Sequence, residues 1–286
     1  FCEVGQCVRS SIGDWLSVFR GRGADVRELQ WLLSELQGVG PISFFARFDP
    51  CFTEEQENWF CEKAERLVMG EPLAYVLGFV EFLSCRIETT PKVLIPRQET
   101  EILVEKICSQ LQNQQERLSQ RVLWDICCGS GCIGIAIQKR FPSLRVVASD
   151  LSVEALELAE KNAVANGVVL EFRQGDLLQP FEGEVADLIV SNPPYLSLEE
   201  YETVDSSVRQ FEPKRALMGG VHGTAFYERL AKETHYFLRP QGQLWLEIGS
   251  TQGLFVEQLF ANSPWRGGLL YQDWAGWDRF FSVERE

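Results

Sequence analysis

Six consecutive residues, Val190-Ser191-Asn192-Pro193-Pro194-Tyr195, set an amide side chain, two prolines and a phenol directly behind an apolar run, Val185 to Val190, that reads as a buried strand. Two prolines remove two backbone donors and fix two φ angles. The carbonyls of Asn192 and Pro193 therefore cannot be spent on helix or sheet pairing through those missing N–H groups. What such a corner can offer chemistry is hydrogen-bond acceptors held still; taken alone, it is a stiff turn.

A second constellation stands upstream. The apolar stretch ending Leu123-Trp124-Asp125-Ile126 runs into Cys127-Cys128-Gly129-Ser130-Gly131-Cys132-Ile133-Gly134. Glycines there let the chain turn sharply and let a ligand approach the start of a helix, at the sheet edge where open α/β folds bind ligands. Asp150 follows the next strand, 19 residues after Gly131, where a carboxylate can accept from ribose hydroxyls. Asp176, after the third strand, could accept from an adenine amino group, and these residues together describe an adenosine site. Gly129 to Gly134 also matches the dinucleotide pattern, a weak signal by itself. Two features favour S-adenosylmethionine over NAD. The carboxylate of Asp125, four residues before Gly129, could organise the loop and the cationic methionine end, whereas a pyrophosphate would be repelled. The second feature is the Asn192 to Tyr195 corner, which leaves the fourth strand beside the same edge.

The elements that must position these residues follow from periodicity. Strands are expected at Arg121 to Ile126, Leu144 to Ser149, Leu170 to Gln174, Val185 to Ser191 and Gln243 to Ile248. Helices are expected near 132 to 140, 152 to 166, 224 to 238 and 252 to 261, and the alternation implies a parallel α/β sheet covered on both faces. A helix from about Thr100 to Gln112 precedes it, and the runs Gly268 to Tyr271 and Arg279 to Val283 are expected as a hairpin on the sheet edge. Residues 1–75 read as a helical bundle, with Leu29, Leu32, Leu33 and Leu36 at helical steps and a capped start at Thr53-Glu54-Glu55-Gln56. Residues 76–96 read as a hairpin connector, and 97–286 as the ligand-binding domain.

Composition narrows the partners. A net charge of −14 argues against a broad phosphate-binding surface. No stretch approaches the ~18 uncharged apolar residues of a membrane span. Nine cysteines, three of them crowded at Cys127, Cys128 and Cys132, do not form a disulfide framework and suit a reducing cytoplasm. With only His222 and His235 and no paired C-x-x-C, no metal is expected. The chain opens on Phe1 without a basic-then-apolar leader, so it is expected to start inside or after a processed end.

Asn192-Pro193-Pro194-Tyr195 after the fourth strand, with the Asp125 to Gly131 loop and Asp150, resembles the class I methyltransferases that modify planar nitrogens, on adenine in DNA or glutamine in protein. Gly70-Glu71-Pro72-Leu73-Ala74-Tyr75, Leu94-Ile95-Pro96-Arg97-Gln98-Glu99-Thr100-Glu101, and Phe211-Glu212-Pro213 with Ala216-Leu217 and Gly219-Gly220 narrow the resemblance to the release factor glutamine methyltransferase family, from about residue 25 to the end. The resemblance implies a Rossmann-like, seven-stranded class I methyltransferase sheet, with a small N-terminal helical bundle that recognises the protein substrate, joined by a β-hairpin. It implies S-adenosylmethionine as donor, S-adenosylhomocysteine as product, and class 1 peptide chain release factors as substrate, modified at the glutamine of their Gly-Gly-Gln motif. No nucleic acid or membrane partner is expected, and the enzyme is expected to be a cytoplasmic monomer. Asp125, Cys127, Cys128, Gly129, Ser130, Gly131, Asp150, Asp176, Leu177 and Asn192 are the cofactor-binding candidates. Asn192, Pro193, Pro194 and Tyr195 are the catalytic and substrate-binding candidates, and Arg97 and Glu101 are candidates to line the pocket.

The chain departs from the family pattern at Cys127, where glycine is frequent, at Gln98 and at His222. A cysteine is expected to fit if its φ is negative. Glu247, at the end of an apolar strand, reads as a pocket-lining residue or, the favoured reading, a paired strand-end carboxylate; Trp274 and Trp277 read as packing residues, and the histidines as ordinary positions. Two alternatives remain: a DNA adenine methyltransferase, which would flip a base into the pocket and want a basic recognition region, and an NAD-binding or non-catalytic Rossmann protein with the corner as a turn.

Overall fold

The computed structural model describes residues 12–38, 53–113 and 115–286. The helical reading of residues 1–11 and 39–52 lies outside them. The chain divides into two units, one running through Gly78 and one beginning at Phe79.

The first unit is helical: α1 (Ile12–Gly21), α2 (Val26–Leu36), α3 (Glu54–Val68) and α4 (Leu73–Leu77). The leucines at helical spacing do what their period dictates. Leu29, Leu32 and Leu33 are buried with Phe19, Phe60 and Ala64, and Phe60 lies stacked under Trp15 at 5.2 Å. Asp25 caps α2 by accepting from the Arg27 amide, and Thr53 and Gln56 form a reciprocal capping box on α3. In the Gly70 to Tyr75 motif, Glu71 takes a two-point ion pair from Arg66 at 2.8 and 2.6 Å.

The second unit opens with a two-stranded antiparallel hairpin, β1 (Phe79–Phe82) and β2 (Cys85–Glu88), and helix α5 (Gln98–Gln112). Its seven-stranded sheet comprises β3 (Val122–Ile126), β4 (Arg145–Asp150), β5 (Glu171–Gln174), β6 (Ala186–Ser191), β7 (Leu238–Glu247), β8 (Trp265–Gln272) and β9 (Asp278–Arg285). The order is β5-β4-β3-β6-β7-β9-β8, parallel except for β9, which runs antiparallel to both neighbours. Helices α6 (Cys132–Arg140), α7 (Val153–Ala165), α8 (Leu198–Thr203), α9 (Ser206–Phe211), α10 (Ala225–Glu233) and α11 (Gly253–Leu259) complete the unit. Two large apolar clusters accompany the sheet, one including Leu123, Ile135 and Val146, the other Trp124, Ile189 and Leu244. The consequence for function lies at β3 and β6. These neighbours send their connections in opposite directions along the sheet, and such a switch point leaves a crevice outside the strand ends.

Two expectations are corrected. β7 begins five residues earlier than the apolar run suggested, because Arg239-Pro240-Gln241-Gly242 is a turn-like stretch kept in the strand with Gln241 at φ +65°. The two C-terminal runs form the expected hairpin on the sheet edge, with β8 outermost. Trp274 and Trp277 are 90% and 59% exposed rather than packed. The turn between β8 and β9 is fixed by Asp273, which accepts from the amides of Ala275 and Trp277, so the backbone holds its shape without the indoles. Among the described residues, no helix is long and apolar enough to cross a membrane.

Candidate active site

The loop after β3 is built on a buried carboxylate. Asp125 is 0% exposed; its Oδ2 accepts from the Gly134 amide at 2.9 Å, while its Oδ1 has no partner. Burial raises this carboxyl to about 7, against the stabilising pull of the Gly134 N–H. Asp125 supports the loop from beneath and does not line the cleft above it. Gly131, at φ +78°, packs so tightly that a Cβ would stand 3.0 Å from that of Ala159. Cys127 adopts φ +59°, so the condition under which a cysteine fits the loop without strain is not met. That is the left-handed region, where a side chain costs roughly 1–2 kcal/mol. Burial raises the thiols of Cys127, to about 12, Cys128 and Cys132, so all three are un-ionised at neutral pH.

The cleft above the loop is lined by Cys127, Cys128, Gly129, Ser130, Asp150, Asp176, Leu177, Asn192 and Pro194, with apolar walls from Val93, Ile133, Leu151 and Phe226. Asp150 accepts from the Gly129 amide and the Ser152 amide, each at 2.9 Å, and so ties the ends of β3 and β4 together. Burial raises its carboxyl. The carboxylate of Asp176 is held at two points by Arg229 of α10, at 3.1 and 2.9 Å. Leu177 is buried at φ +50°.

The Asn192 corner leaves β6 at the level where the glycine loop leaves β3. Ile126 and Ser191 are register partners, and the Ser191 hydroxyl donates to the Ile126 carbonyl at 2.8 Å. A second cleft of about 340 Å³ adjoins the first; Pro193, Tyr195, Leu196, Val204, Val208 and Leu217 line it. Asn192 lines both, together with Leu94, Arg97 and Ala216. Burial lifts the Tyr195 phenol to about 12, so it is neutral at physiological pH.

Backbone laid on backbone holds the corner. Leu196 donates to Leu217 and accepts from Gly219. A Cβ on Gly219 would lie 2.6 Å from the Pro194 carbonyl oxygen, and one on Gly223 2.4 Å from that of Tyr195. Gln252 donates through Nε2 to the Tyr195 carbonyl at 2.9 Å. Gly219→Ala is therefore expected to destabilise the protein by ~1–3 kcal/mol, the usual cost of overpacking. A lower urea midpoint would register it; an unchanged midpoint would show that the two segments separate freely.

The junction residues divide. Arg97 lines both clefts and pairs with the buried Glu212 at 2.5 Å; Glu212 also accepts from the Ile95 amide at 3.2 Å. Glu101 does not reach either cleft. It accepts from the Leu83 amide at 3.2 Å and lines a groove beside β8 and β9, which corrects its assignment as a pocket residue. Glu247 is not a paired strand-end acid: it is 1% exposed and lines the second cleft, and it accepts from the Thr100 hydroxyl at 2.7 Å. Thr100 in turn accepts from Asn192 Nδ2 at 3.4 Å. Arg229, Glu212, Thr100 and Glu247 were missed or undervalued because each is a single polar residue whose partner lies far along the chain. Of the four, only Glu247 carries a positional signal, the carboxyl end of a strand beside the switch point, which marks it as a candidate pocket residue.

The sheet order, the glycine loop and the corner define a class I methyltransferase. Solved structures agree in fold: the T. Thermophilus 16S rRNA N2 G1207 methyltransferase, in complex with AdoMet and guanosine, superimposes with a TM-score of 0.51 at 14% identity, covering 73% of this chain and 50% of that one. The hMettl16 catalytic domain does so with a TM-score of 0.52 at 13% identity, covering 84% of each. Residues 98–211 match the Methyltransferase small domain family and residues 15–78 the PrmC N-terminal domain family. The release factor glutamine methyltransferase of Chlamydia trachomatis serovar L2 is 43% identical over 93% of this chain and 90% of its own length. That of Lactococcus lactis subsp. lactis is 35% identical over 94% and 99%. The chain belongs to the release factor glutamine methyltransferase family.

Proposed function

We propose that this protein transfers a methyl group from S-adenosylmethionine to the side-chain amide nitrogen of a glutamine, that of the Gly-Gly-Gln motif in class 1 peptide chain release factors, giving N5-methylglutamine in the cytoplasm. The observation that carries the reading is that Asn192 belongs to both clefts, so a group held by its side chain stands between a cofactor site and a substrate site.

The donor set fits the cofactor. Asp150 and Asp176 line the cleft and offer acceptors to a nucleoside, while Lys92, Arg97 and Arg215 line it too, so the support for this cofactor comes from the acceptors and the adjoining corner and not from net charge. Asp150 would accept from the ribose hydroxyls, Asp176 from the adenine amino group, and Leu151 and Leu177 would flank the base. When bound, S-adenosylmethionine would supply an electrophilic methyl carbon on a sulfonium that leaves as a neutral thioether.

The residues of the corner then act on the amide. An amide nitrogen is a poor nucleophile because its lone pair is delocalised, the resonance behind the ~18–20 kcal/mol rotation barrier of a peptide bond. Asn192 Oδ1 and the Pro193 carbonyl would accept the two N–H groups, aim the lone pair at the methyl carbon and stabilise positive charge developing on nitrogen. Tyr195, neutral, would pack on the planar amide and exclude water. The methylated nitrogen is acidic and sheds its proton without a strong base. The helical unit is left to hold the rest of the protein substrate.

Labelled-methyl transfer to purified release factor against duplex DNA, with mass analysis of the Gly-Gly-Gln peptide, tests the reading. Label is expected in the glutamine peptide. Label only in DNA, or tight binding of NADH in place of S-adenosylhomocysteine, would overturn it.

A further inference from the structure

We propose that Thr100 and Glu247 are positioning residues that set which end of the Asn192 amide faces the substrate cleft, through a one-way hydrogen-bond relay from Asn192 to Thr100 to Glu247. The inference rests on the role given to Asn192 above.

A carboxamide is nearly symmetric in shape, and only the polarity of its partners selects where oxygen and nitrogen go. Here three elements converge: Asn192 just after β6, Glu247 at the end of the neighbouring β7, and Thr100 in the first turn of α5. The Thr100 hydroxyl spends its one proton on Glu247 Oε2 at 2.7 Å, so toward Asn192 it can only accept. Nδ2 is thereby drawn to Thr100 and to the Glu247 carboxylate, with which the Asn192 side chain also shares a hydrogen bond, and Oδ1 is left as the pole facing the substrate. A flipped Asn192 would set oxygen against oxygen at Thr100 and offer N–H to an N–H, where nothing accepts. Glu247 is an expensive group to bury. The other charged or titratable groups around it are Arg279 of β9, which pairs with Asp273 at 3.2 Å, Glu99 of α5, Tyr195, Cys132 and Tyr227. Tyr227 donates instead to the Glu247 main-chain oxygen at 3.4 Å.

Burial raises the Glu247 carboxyl to about 7. Above that pH the carboxylate is a pure acceptor and the relay runs one way. Below it, protonated Glu247 can donate to Thr100, the Thr100 hydroxyl is freed to donate to Asn192, and the amide loses its preferred orientation. Turnover should fall on the acid side.

The test compares wild type, Thr100→Val, Thr100→Ser and Glu247→Gln by kcat at saturating substrates from pH 5.5 to 8.5, with S-adenosylhomocysteine affinity by calorimetry, and by the Asn192 side-chain amide resonances in ¹⁵N NMR. Thr100→Val is expected to lower kcat by ~10- to 100-fold, the scale on which partners that orient a site ligand act, with affinity for S-adenosylhomocysteine kept. Thr100→Ser recovers most of that loss, and Glu247→Gln flattens the acid limb. In wild type the Asn192 resonances shift with a midpoint near pH 7. Equal impairment of Thr100→Val and Thr100→Ser, an acid limb retained by Glu247→Gln, or Asn192 resonances that ignore both pH and Thr100 would overturn the relay. If wild type methylates no release factor, the functional reading falls, and the resonances alone then decide whether Asn192 is oriented as proposed.

Discussion

Asn192→Ala is expected to lower turnover on a release factor by ~100-fold or more, on the scale of losing one preorganised polar contact at a reacting centre, ~2.7–4 kcal/mol. The change removes one of the two acceptors proposed for the amide. It leaves the other proposed acceptor, the Pro193 carbonyl, in a corner that Gly219, Gly223 and Gln252 hold from the far side. Alignment of nucleophile and methyl carbon can be worth ~7–11 kcal/mol, so loss of the side chain acts mainly by letting the amide rotate out of line. Cofactor affinity should largely survive, because the Asp150 tether, the glycine loop and Leu177 stay in place. Single-turnover kinetics with calorimetric binding of S-adenosylhomocysteine separates the two effects. Near-normal turnover would remove Asn192 from the chemistry.

In the ligand-free protein Asp125 should cost stability between about pH 4 and pH 7, and Asp125→Asn should remove that share while the raised carboxyls of Glu247 and Asp150 keep theirs. The folded carboxyl sits at about 7 against an ordinary value of 3.8. Below 3.8 both states carry the proton and the group contributes nothing. Between the two values the unfolded chain has ionised while the folded one still holds its proton, so the unfolded state binds fewer protons and stability falls as pH rises. The fall is complete above 7 and amounts to roughly 4 kcal/mol at 1.36 kcal/mol per pH unit. Asn keeps an oxygen for Gly134 but buries an unpaired NH₂, a pH-independent cost of ~1–3 kcal/mol. The variant should thus be less stable than wild type at pH 4 and more stable at pH 8. Urea unfolding at the two values reads this crossing, and parallel pH profiles for the two proteins would refute it.

Much of the frame was legible because its letters are unambiguous. The apolar runs ending at Ile126, Ser149 and Ser191, each bounded by glycine, aspartate or proline, match β3, β4 and β6 to within a residue. The leucines of α2 and the capping box of α3 carry their period and their start in the sequence. Helices α8 and α9 leave no periodic trace in the sequence, since six residues apiece are too few, and their caps, Ser197 and Asp205, look like ordinary loop residues. Within the site, glycines and prolines announce themselves because they change what the backbone can do. The partners of Asn192 do not: Thr100 lies 92 residues before it, and Thr100 and its own partner Glu247 are 147 residues apart. The left-handed backbone of Cys127 is hidden for the opposite reason, since nothing in a cysteine side chain reveals it.

The packing of the 219–223 segment and Gln252 onto the corner means that Asn192-Pro193-Pro194-Tyr195 is not a portable module. Grafted into a foreign strand end, the tetrapeptide would keep its proline angles but lack the close-fitting glycines and the Gln252 side chain that fix the Pro194 and Tyr195 carbonyls. An attempt to engineer the same grip elsewhere would have to carry over this distant scaffold as well.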